Sequence, residues 1–294
     1  MSDKATVLYD HPGPRAKRLN LVISVIFAAV LIAGIWWVID ILAGKGQLTA
    51  AKWSPFLEGQ NWTTYLLPGL LNTLKAAAIS VVIALPIGAL LGIARLSDHA
   101  WIRVPAGIVV EFFRAIPVLI LMSFSFLLWF EVFGFSSPLA GVVIGLVLYN
   151  GSVLAEIFRA GILSLPRGQT EASLAIGLGK TQMMTNVLLP QALTAMLPAV
   201  VSQLVVVVKD TALGGILVGY VELRRMAGTS ASNYQNLLPT YVVIAVIYIL
   251  LNLALGFLAS YLEKRLRTRR GGGRRGGAAE PMAVTTAKLN TGGV

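Results

Sequence analysis

The chain has 294 residues, of which 56% are hydrophobic and only 13% are charged. Soluble domains carry roughly 25% charged residues, so this composition excludes an ordinary soluble domain and predicts a membrane protein. Because the chain has only two histidines and no cysteine, it lacks the side chains that most zinc sites, iron–sulfur sites and thiol chemistry require. We therefore expect no metal site. The net charge of +11 leaves nucleic-acid binding open until the cations are located.

Six largely uncharged stretches are long enough to cross a membrane, which takes about 20 apolar residues per helix. The pattern predicts an all-α polytopic membrane protein with six transmembrane helices. The first stretch is too long for a signal peptide and predicts a retained anchor. In chain order the stretches are 19–39, 76–94, one centred on 117–130 that begins near residue 105, 138–155, 191–208 and 237–262.

The positive charges predict the orientation of these helices. With the N-terminus inside, 18 cationic residues fall in cytoplasmic segments and 4 in external loops. Short cytoplasmic loops carry the excess of Lys and Arg in membrane proteins. Both termini are therefore predicted to be cytoplasmic, and the basic charge is a topology signal that indicates no nucleic-acid partner.

The same pattern predicts four regions along the chain. Residues 1–18 form a cytoplasmic tail, 19–67 an extra N-terminal helix with an external loop, and 68–263 the transmembrane core. Residues 264–294 begin with a dense run of Lys and Arg and continue with few large apolar side chains. This composition predicts a disordered tail. We expect its cations to bind anionic lipid headgroups, with a regulatory or RNA-binding arm as the alternative.

The long cytoplasmic loop, about 156–190, is the most informative segment. Thr170 is the predicted start of a short helix, with Glu171 in its first turn, where an acidic side chain suits the helix dipole. A short helix with apolar and polar sides suits docking into a groove of another protein. The nearby GLGKT sequence, 177–181, is similar to the end of a phosphate-binding loop, but Leu174 stands where that loop needs its first glycine. We therefore expect no ATP site in this chain.

This loop resembles the EAA motif of bacterial ABC-importer permeases, which reads E-A-A, three residues, G, nine residues and I-x-L-P. Two positions depart from the pattern, Ser173 for Ala and Val187 for Ile. A loop that only caps helices is the structural alternative. The matching residues expected to couple to an ATPase are Glu171, Ala172, Ser173, Gly177, Leu189 and Pro190.

Four further segments resemble the polar amino-acid permeases related to histidine and glutamine importers, and most of all the glutamate permeases of actinobacteria. They are 69–97, 111–121, 148–172 and 209–225. The resemblance implies the type I ABC-importer permease fold in the bacterial plasma (inner) membrane. It also implies import of a polar amino acid, glutamate or a near relative.

The resemblance implies a set of partners as well. These are a second permease subunit, as a related heterodimer mate, two ATP-binding subunits, an extracytoplasmic substrate-binding protein and membrane lipids. The chain itself would bind no cofactor and would be no enzyme, because the partner ATPase would use the ATP and Mg. Glu171 and the helix around Gly177 would form the mechanical coupling point.

Polar residues within the spans are candidates for the substrate path. Lys209 and Asp210 interrupt an apolar run, where charges are costly and usually face a bundle interior or an aqueous cavity. Successive helical residues point about 100° apart, so one of the two would line the path while the other pairs with a neighbouring helix. Lys209 would suit a substrate carboxylate, and a structural ion pair is the alternative. Asn150 and Gln203 would line the path or form interhelical hydrogen bonds.

Two ion pairs are predicted at the cytoplasmic ends of spans. Glu111 with Arg114, and Glu156 with Arg159, are each spaced i, i+3, so each pair can meet on one helix face. The structural interpretation is a pair of interfacial ion pairs. Their place within the resembling segments keeps a gating role open.

Two other classes of protein compete with the importer hypothesis. An ion-gradient-driven secondary amino-acid transporter would need internal repeats and acidic residues deep in its spans, and Asp210 is the one clear candidate. A membrane anchor or receptor component that transports nothing would have no need of polar groups within the spans.

Overall fold

The computed structural model describes residues 13–271, and within that range the regular secondary structure is helical throughout. The predicted all-α class is confirmed. Two short helical turns, Ala50–Trp53 and Ser54–Leu57, follow the first helix. The main helices are α1 (Pro14–Gly44), α2 (Gly59–Ala94), α3 (Ala100–Ala115), α4 (Val118–Phe133), α5 (Pro138–Leu163), α6 (Arg167–Ala175), α7 (Lys180–Leu217), α8 (Leu223–Tyr234) and α9 (Leu237–Gly271).

Five of the described helices are long and apolar enough to cross a membrane, namely α1, α2, α5, α7 and, over Leu237–Leu258, α9. The predicted third span is different: it consists of α3 and α4, which are bent by 103° at the break between them. Ile116 is extended and Pro117 caps α4. A proline disfavours the α conformation of the preceding residue, and it has no N–H to continue the ladder. The predicted third span is therefore a bent pair of helices, and the described helices give six spans when this pair is counted as one.

The other helices extend beyond the predicted apolar stretches. Helix α2 begins at Gly59 rather than near residue 76, and α5 continues past residue 155 to Leu163. Helix α7 begins at Lys180, so the predicted loop 156–190 is largely helical. An uncharged stretch marks the part of a helix that crosses hydrocarbon, whereas its polar ends continue into the interface.

The predicted C-terminal tail begins too early. Helix α9 continues to Gly271, so residues 264–271 are helical. Lys and Arg are good helix formers, so a run rich in them extends a helix readily. The remainder of the tail, 272–294, lies outside the described residues, as do the first 12 residues with His11.

The chain divides into two compact units, one of residues 1–72 and 221–247 and the other of residues 73–220 and 248–294. In the second unit α5 is the central helix, with fourteen buried residues. Two apolar clusters lie along it, one around Met122 and Leu146 and one around Leu154 and Met196.

Glycines allow the neighbouring helices to approach α5 closely. A Cβ atom at Gly145 would lie 2.6 Å from the backbone of Met122 in α4, and one at Gly161 would lie 2.9 Å from Met196 in α7. On α2, a Cβ at Gly88 would lie 2.6 Å from Leu154. Small residues at such crossings are the usual basis of helix packing in membranes, because lipid provides no hydrophobic force between helices.

The first unit contains a buried neutral polar cluster. Ser230 in α8 donates to Asn61 Oδ1 at 2.7 Å, and Asn61 donates to the carbonyl of Pro55 at 3.1 Å. Glu222 caps α8 by accepting from the backbone N–H groups of Arg224 and Arg225 at 2.6 and 2.8 Å. Arg224, one of the four cations that the sequence assigns to external loops, therefore lies in an N-terminally capped helix.

Candidate coupling and transport site

Helix α6 carries the start of the EAA pattern. It begins at Arg167, after Pro166, and not at Thr170 as the sequence suggested. Proline has a fixed φ and needs no backbone donor at a helix start, so Pro166 is well suited to this end. Glu171 is consequently in the middle of the helix and not in its first turn.

A side-chain hydrogen bond joins α6 to α7, and a second one within α6 involves the same glutamine. Gln191 Nε2 of α7 donates to Gln169 Oε1 at 3.0 Å, and the carbonyl of Gln169 accepts from Ser173 Oγ at 2.7 Å. Ser173 is 4% exposed. The serine that replaces alanine in the motif therefore has a local partner, and it lies on the face of α6 that points away from solvent.

Gly177 ends α6 in a Schellman motif. Its φ is +78°, and the N–H groups of Gly177 and Leu178 donate to the carbonyls of Leu174 and Ser173 at 2.9 and 3.1 Å. The left-handed conformation is readily adopted only by glycine. A Cβ at this position would have no atom within 4 Å, so the glycine serves the turn and not a close approach.

Leu189 and Pro190 lie inside α7 and not at its start. A π turn, Met184–Leu188, comes directly before them. Proline cannot donate to the carbonyl four residues earlier, and a single wider turn is a common way for a helix to accommodate such a gap. The proline of the motif therefore accompanies a local change of helix type inside α7.

The outward surface of this segment mixes a carboxylate with apolar side chains. Glu171 and Ala172 are exposed, Leu174 is 57% exposed and Ile176 is 77% exposed. We refer to Glu171, Ala172, Leu174 and Ile176 as the α6 surface. An apolar patch on a helix that is anchored from behind is suited to a protein partner.

A second connection fixes the start of α7. Lys180 forms an ion pair with Asp98 and donates to the carbonyl of Leu96 at 3.2 Å. The hydrogen bond from Lys180 holds the pKa of the Asp98 carboxyl below its ordinary value. The loop between α2 and α3 is thereby linked to the middle of the motif, three residues after Gly177.

The two predicted i, i+3 ion pairs are present, and Arg95 joins them. Arg159 binds Glu156 with two hydrogen bonds of 2.6 and 3.1 Å, while the contact between Arg114 and Glu111 is longer, at 3.5 Å. Arg95 bridges both acids, at 2.7 Å from Glu156 and 2.9 Å from Glu111. We call these five residues the ionic cluster.

Arg95 was missed as a site residue because its sequence neighbours give it no partner. It follows α2, and its acids lie 16 and 61 residues further along the chain. The signal that the sequence offered was its position at the predicted cytoplasmic end of a span. The cluster connects the end of α2 with α3 and α5, so a movement of any of these three helices would strain its hydrogen bonds.

Asn150 and Gln203 bind each other. Gln203 Nε2 of α7 donates to Asn150 Oδ1 of α5 at 2.6 Å, and Asn150 donates to the carbonyl of Leu146 at 2.9 Å. Asn150 is fully buried. Of the two roles predicted for this pair, the geometry favours the interhelical hydrogen bond.

Lys209 and Asp210 lie in α7 and point in different directions. Lys209 is exposed and lines a groove between α7 and α9, whereas Asp210 is half-buried. Among the side chains that the structure describes, neither forms an ion pair within 4 Å. The expectation that one of them pairs with a neighbouring helix is therefore not met there.

The described residues thus form apolar helices long enough to span a membrane, together with the short helix α6 and its exposed surface. The fold is similar to a chain from a crystal structure of an amino acid ABC transporter with histidines. The match has a TM-score of 0.64 and 28% identity, and it covers 69% of this chain and 95% of that chain. The predicted importer-permease fold is confirmed.

Residues 84–268 match the family described as the binding-protein-dependent transport system inner membrane component, and the chain belongs to that family. It is 49% identical over 232 residues to the glutamate transport system permease protein GluD of Corynebacterium glutamicum, covering 78% of this chain and 85% of that protein. It is 33% identical over 214 residues to the glutamate/aspartate import permease protein GltK of Escherichia coli O6:H1. This match covers 68% of this chain and 93% of that protein. The predicted resemblance and the inner-membrane location are confirmed.

Proposed function

We propose that this chain is the membrane-spanning permease subunit of an ATP-driven importer for a polar amino acid, with glutamate as its substrate. The similarity to glutamate and to glutamate/aspartate permeases supports the substrate. The chain contributes the conduit, and ATP hydrolysis with Mg belongs to two partner ATPase subunits. A second permease subunit and an extracytoplasmic binding protein complete the importer.

The α6 surface carries this proposal. The hydrogen bond between Gln169 and Gln191 joins the buried side of the helix to α7, while Glu171, Leu174 and Ile176 are exposed. A force applied to that surface passes into α7 through Gln191 and into the loop before α3 through Lys180. This geometry supports a docking helix whose movement reaches the spans.

The class of transporter is tested by reconstituting the chain with its ATPase, second permease and binding protein in liposomes. We expect uptake of labelled glutamate to require ATP on the side of the membrane where the ATPase subunits bind. We also expect the uptake to continue when a protonophore removes the proton gradient. Uptake that persists without ATP and collapses with the proton gradient would instead identify a secondary transporter. No flux under either condition would identify a subunit that transports nothing.

The coupling role is tested by reversing the charge of Glu171. We expect Glu171→Lys to lower ATP-driven uptake about tenfold, because a charge-assisted contact with the ATPase is replaced by a repulsive one. The exposed Glu58, which lies far from the motif in sequence, gives the matched control Glu58→Lys, for which uptake stays within about twofold. Less ATPase should also co-purify with Glu171→Lys. Unchanged uptake and co-purification would contradict the docking role.

A further inference from the structure

A cavity of about 620 Å³ lies beside the ionic cluster in the second unit, where the chain after α2 meets α3 and α5. Guanidinium groups dominate its charged lining, and we call it the arginine cavity. The described charged residues that line it are Arg95, Arg103, Arg159 and Glu111. Several arginines around one cavity are suited to an anion, because the planar guanidinium matches the oxygens of a phosphate or a carboxylate.

Arg103 is the arginine of this cavity that lacks an acidic partner. Among the described side chains, no carboxylate lies within 4 Å of its guanidinium. Its Nη1 donates to the backbone carbonyls of Ser97 and Asp98 at 3.1 and 3.5 Å. These bonds orient the side chain without neutralising it, and they leave Nε and Nη2 as donors for a ligand.

The cavity keeps an excess of positive charge after its ion pairs are counted. The ionic cluster contains three arginines and two glutamates, so one positive charge remains, and Arg103 adds another. Asp98, the acid nearest to Arg103 in the sequence, is paired with Lys180. Arg159 uses Nε and Nη2 for Glu156, which leaves its Nη1 available. An anion is therefore the ligand that complements this site.

The arginine cavity lies at the level of the membrane where lipid headgroups are found. Arg95 follows directly after α2, and Arg159 lies four residues, about 6 Å, before the end of α5. Both helices are long enough to cross the membrane, so their ends lie at the interface. Trp101 of α3 is 76% exposed, and tryptophan is enriched at that interface.

The same cavity has an apolar side, formed by α3. Val104 and Ile108 line it and are 53% and 64% exposed. They are spaced i, i+4, so they lie on one face of the helix, and Gly107 between them leaves room beside the arginines. A soluble anion would gain nothing from this apolar side, whereas a lipid would bury an acyl chain against it.

We propose that the arginine cavity binds an anionic phospholipid. Arg103 and Arg159 donate to the phosphate, and an acyl chain packs on Val104 and Ile108. The site is separate from the transported amino acid, because its ligand is a component of the membrane. A bound lipid would connect the same three segments as the ionic cluster. Free phosphate shares the headgroup chemistry, so the experiments must distinguish the two.

The first test removes the unpaired cation. The purified full-length chain in neutral detergent is titrated with dioleoylphosphatidylglycerol, and native mass spectrometry counts the bound lipids. We expect Arg103→Gln to retain one lipid fewer and to bind it about tenfold more weakly, the usual effect of losing a charge-assisted hydrogen bond. The matched control is Arg167→Gln, since Arg167 is an exposed arginine outside the cavity and should leave the titration unchanged.

The second test fills the cavity and keeps every arginine. A Cβ at Gly107 has no atom within 4 Å, and leucine favours a helix more than glycine does, so Gly107→Leu should fold normally. We expect its affinity for phosphatidylglycerol to fall about fivefold or more, because the leucine occupies the space of the lipid. Its unfolding temperature without lipid should not decrease. An ionic cluster that served stability alone would not respond in this way.

Two further probes identify the ligand. Dioleoylphosphatidylcholine should bind about fivefold more weakly, because its choline group brings a cation towards the arginines. Inorganic phosphate at millimolar concentration should displace no phosphatidylglycerol. Displacement by inorganic phosphate would show a site for soluble anions and overturn the lipid assignment. Equal binding of the two lipids, or an unchanged titration in both Arg103→Gln and Gly107→Leu, would also overturn the proposal.

Discussion

Helices α1 and α5 are both long enough to cross the membrane, yet their roles in packing are opposite. Helix α1 has 31 residues and none of them is buried, whereas α5 has 26 residues and fourteen are buried. The more apolar of the two is the one that packs least. Lipid is as apolar as a protein interior, so apolarity places a helix in the membrane but does not attach it to other helices.

Their glycines show the difference directly. In α5, a Cβ at Gly141 would lie 2.5 Å from Phe126, and at Gly145 it would lie 2.6 Å from Met122. In α1, a Cβ at Gly34 or Gly44 would meet no atom within 4 Å. The same residue type is therefore a packing requirement in one helix and a neutral choice in the other.

The largest effect is expected at Gly145. Gly145→Val should destabilise the protein by about 3 kcal/mol, because a branched side chain forces α4 away from α5. The matched change in α1, Gly34→Val, should remain within about 0.5 kcal/mol. Thermal unfolding in detergent micelles measures both. Equal stabilities for the two variants would show that the close crossing of α4 and α5 does not exist.

A smaller effect is expected from the carboxylate of Glu156 in α5. Glu156→Gln should cost about 1.5 kcal/mol, since Arg95 and Arg159 both lose a charged acceptor and the cluster is partly screened by solvent. The matched acid in α1 is the exposed Asp40, and Asp40→Asn should leave stability unchanged. The cost for Glu156→Gln should shrink at high salt. A cost independent of salt would contradict an ionic origin.

The smallest effect concerns the hydrogen bond between Asn150 and Gln203. A double-mutant cycle with Asn150→Ala and Gln203→Ala should give a coupling energy of about 1 kcal/mol, which is typical of a polar contact between membrane helices. In α1, Asn20→Ala provides the control, as Asn20 is exposed. Titration with a denaturing detergent measures the free energy of unfolding of each variant, from which the coupling energy is calculated. A coupling energy near zero would mean that α5 and α7 are not joined by this hydrogen bond.

The sequence predicted the spans well because hydropathy is a property of each segment alone. It also identified the EAA pattern, whose glycine proves to close a Schellman motif at Gly177. It placed the start of α6 three residues late, because Thr170 and Glu171 are suitable for a helix start and the effect of Pro166 was not weighed. It did not predict the 103° bend between α3 and α4, because apolarity continues through Pro117 and hydropathy does not record a change of chain direction.

The candidate site was only partly predictable. Contacts within one helix turn, such as Glu156 with Arg159, follow from spacing and were found. Arg95 was not found, because its bonds to Glu111 and Glu156 depend on where three separate chain segments meet. The same holds for the groove at Lys209, which is lined by residues of both α7 and α9.

The sequence by itself determined that this is a polytopic helical membrane protein of the importer-permease type, because composition, hydropathy and a spaced motif are local properties. Only the tertiary structure decided which apolar helix is central, which ion pairs join into a cluster, and which buried polar groups lack partners. These depend on close approach between segments far apart in the chain. In a membrane that approach is governed by the shape of small residues, such as Gly145, which hydropathy does not register.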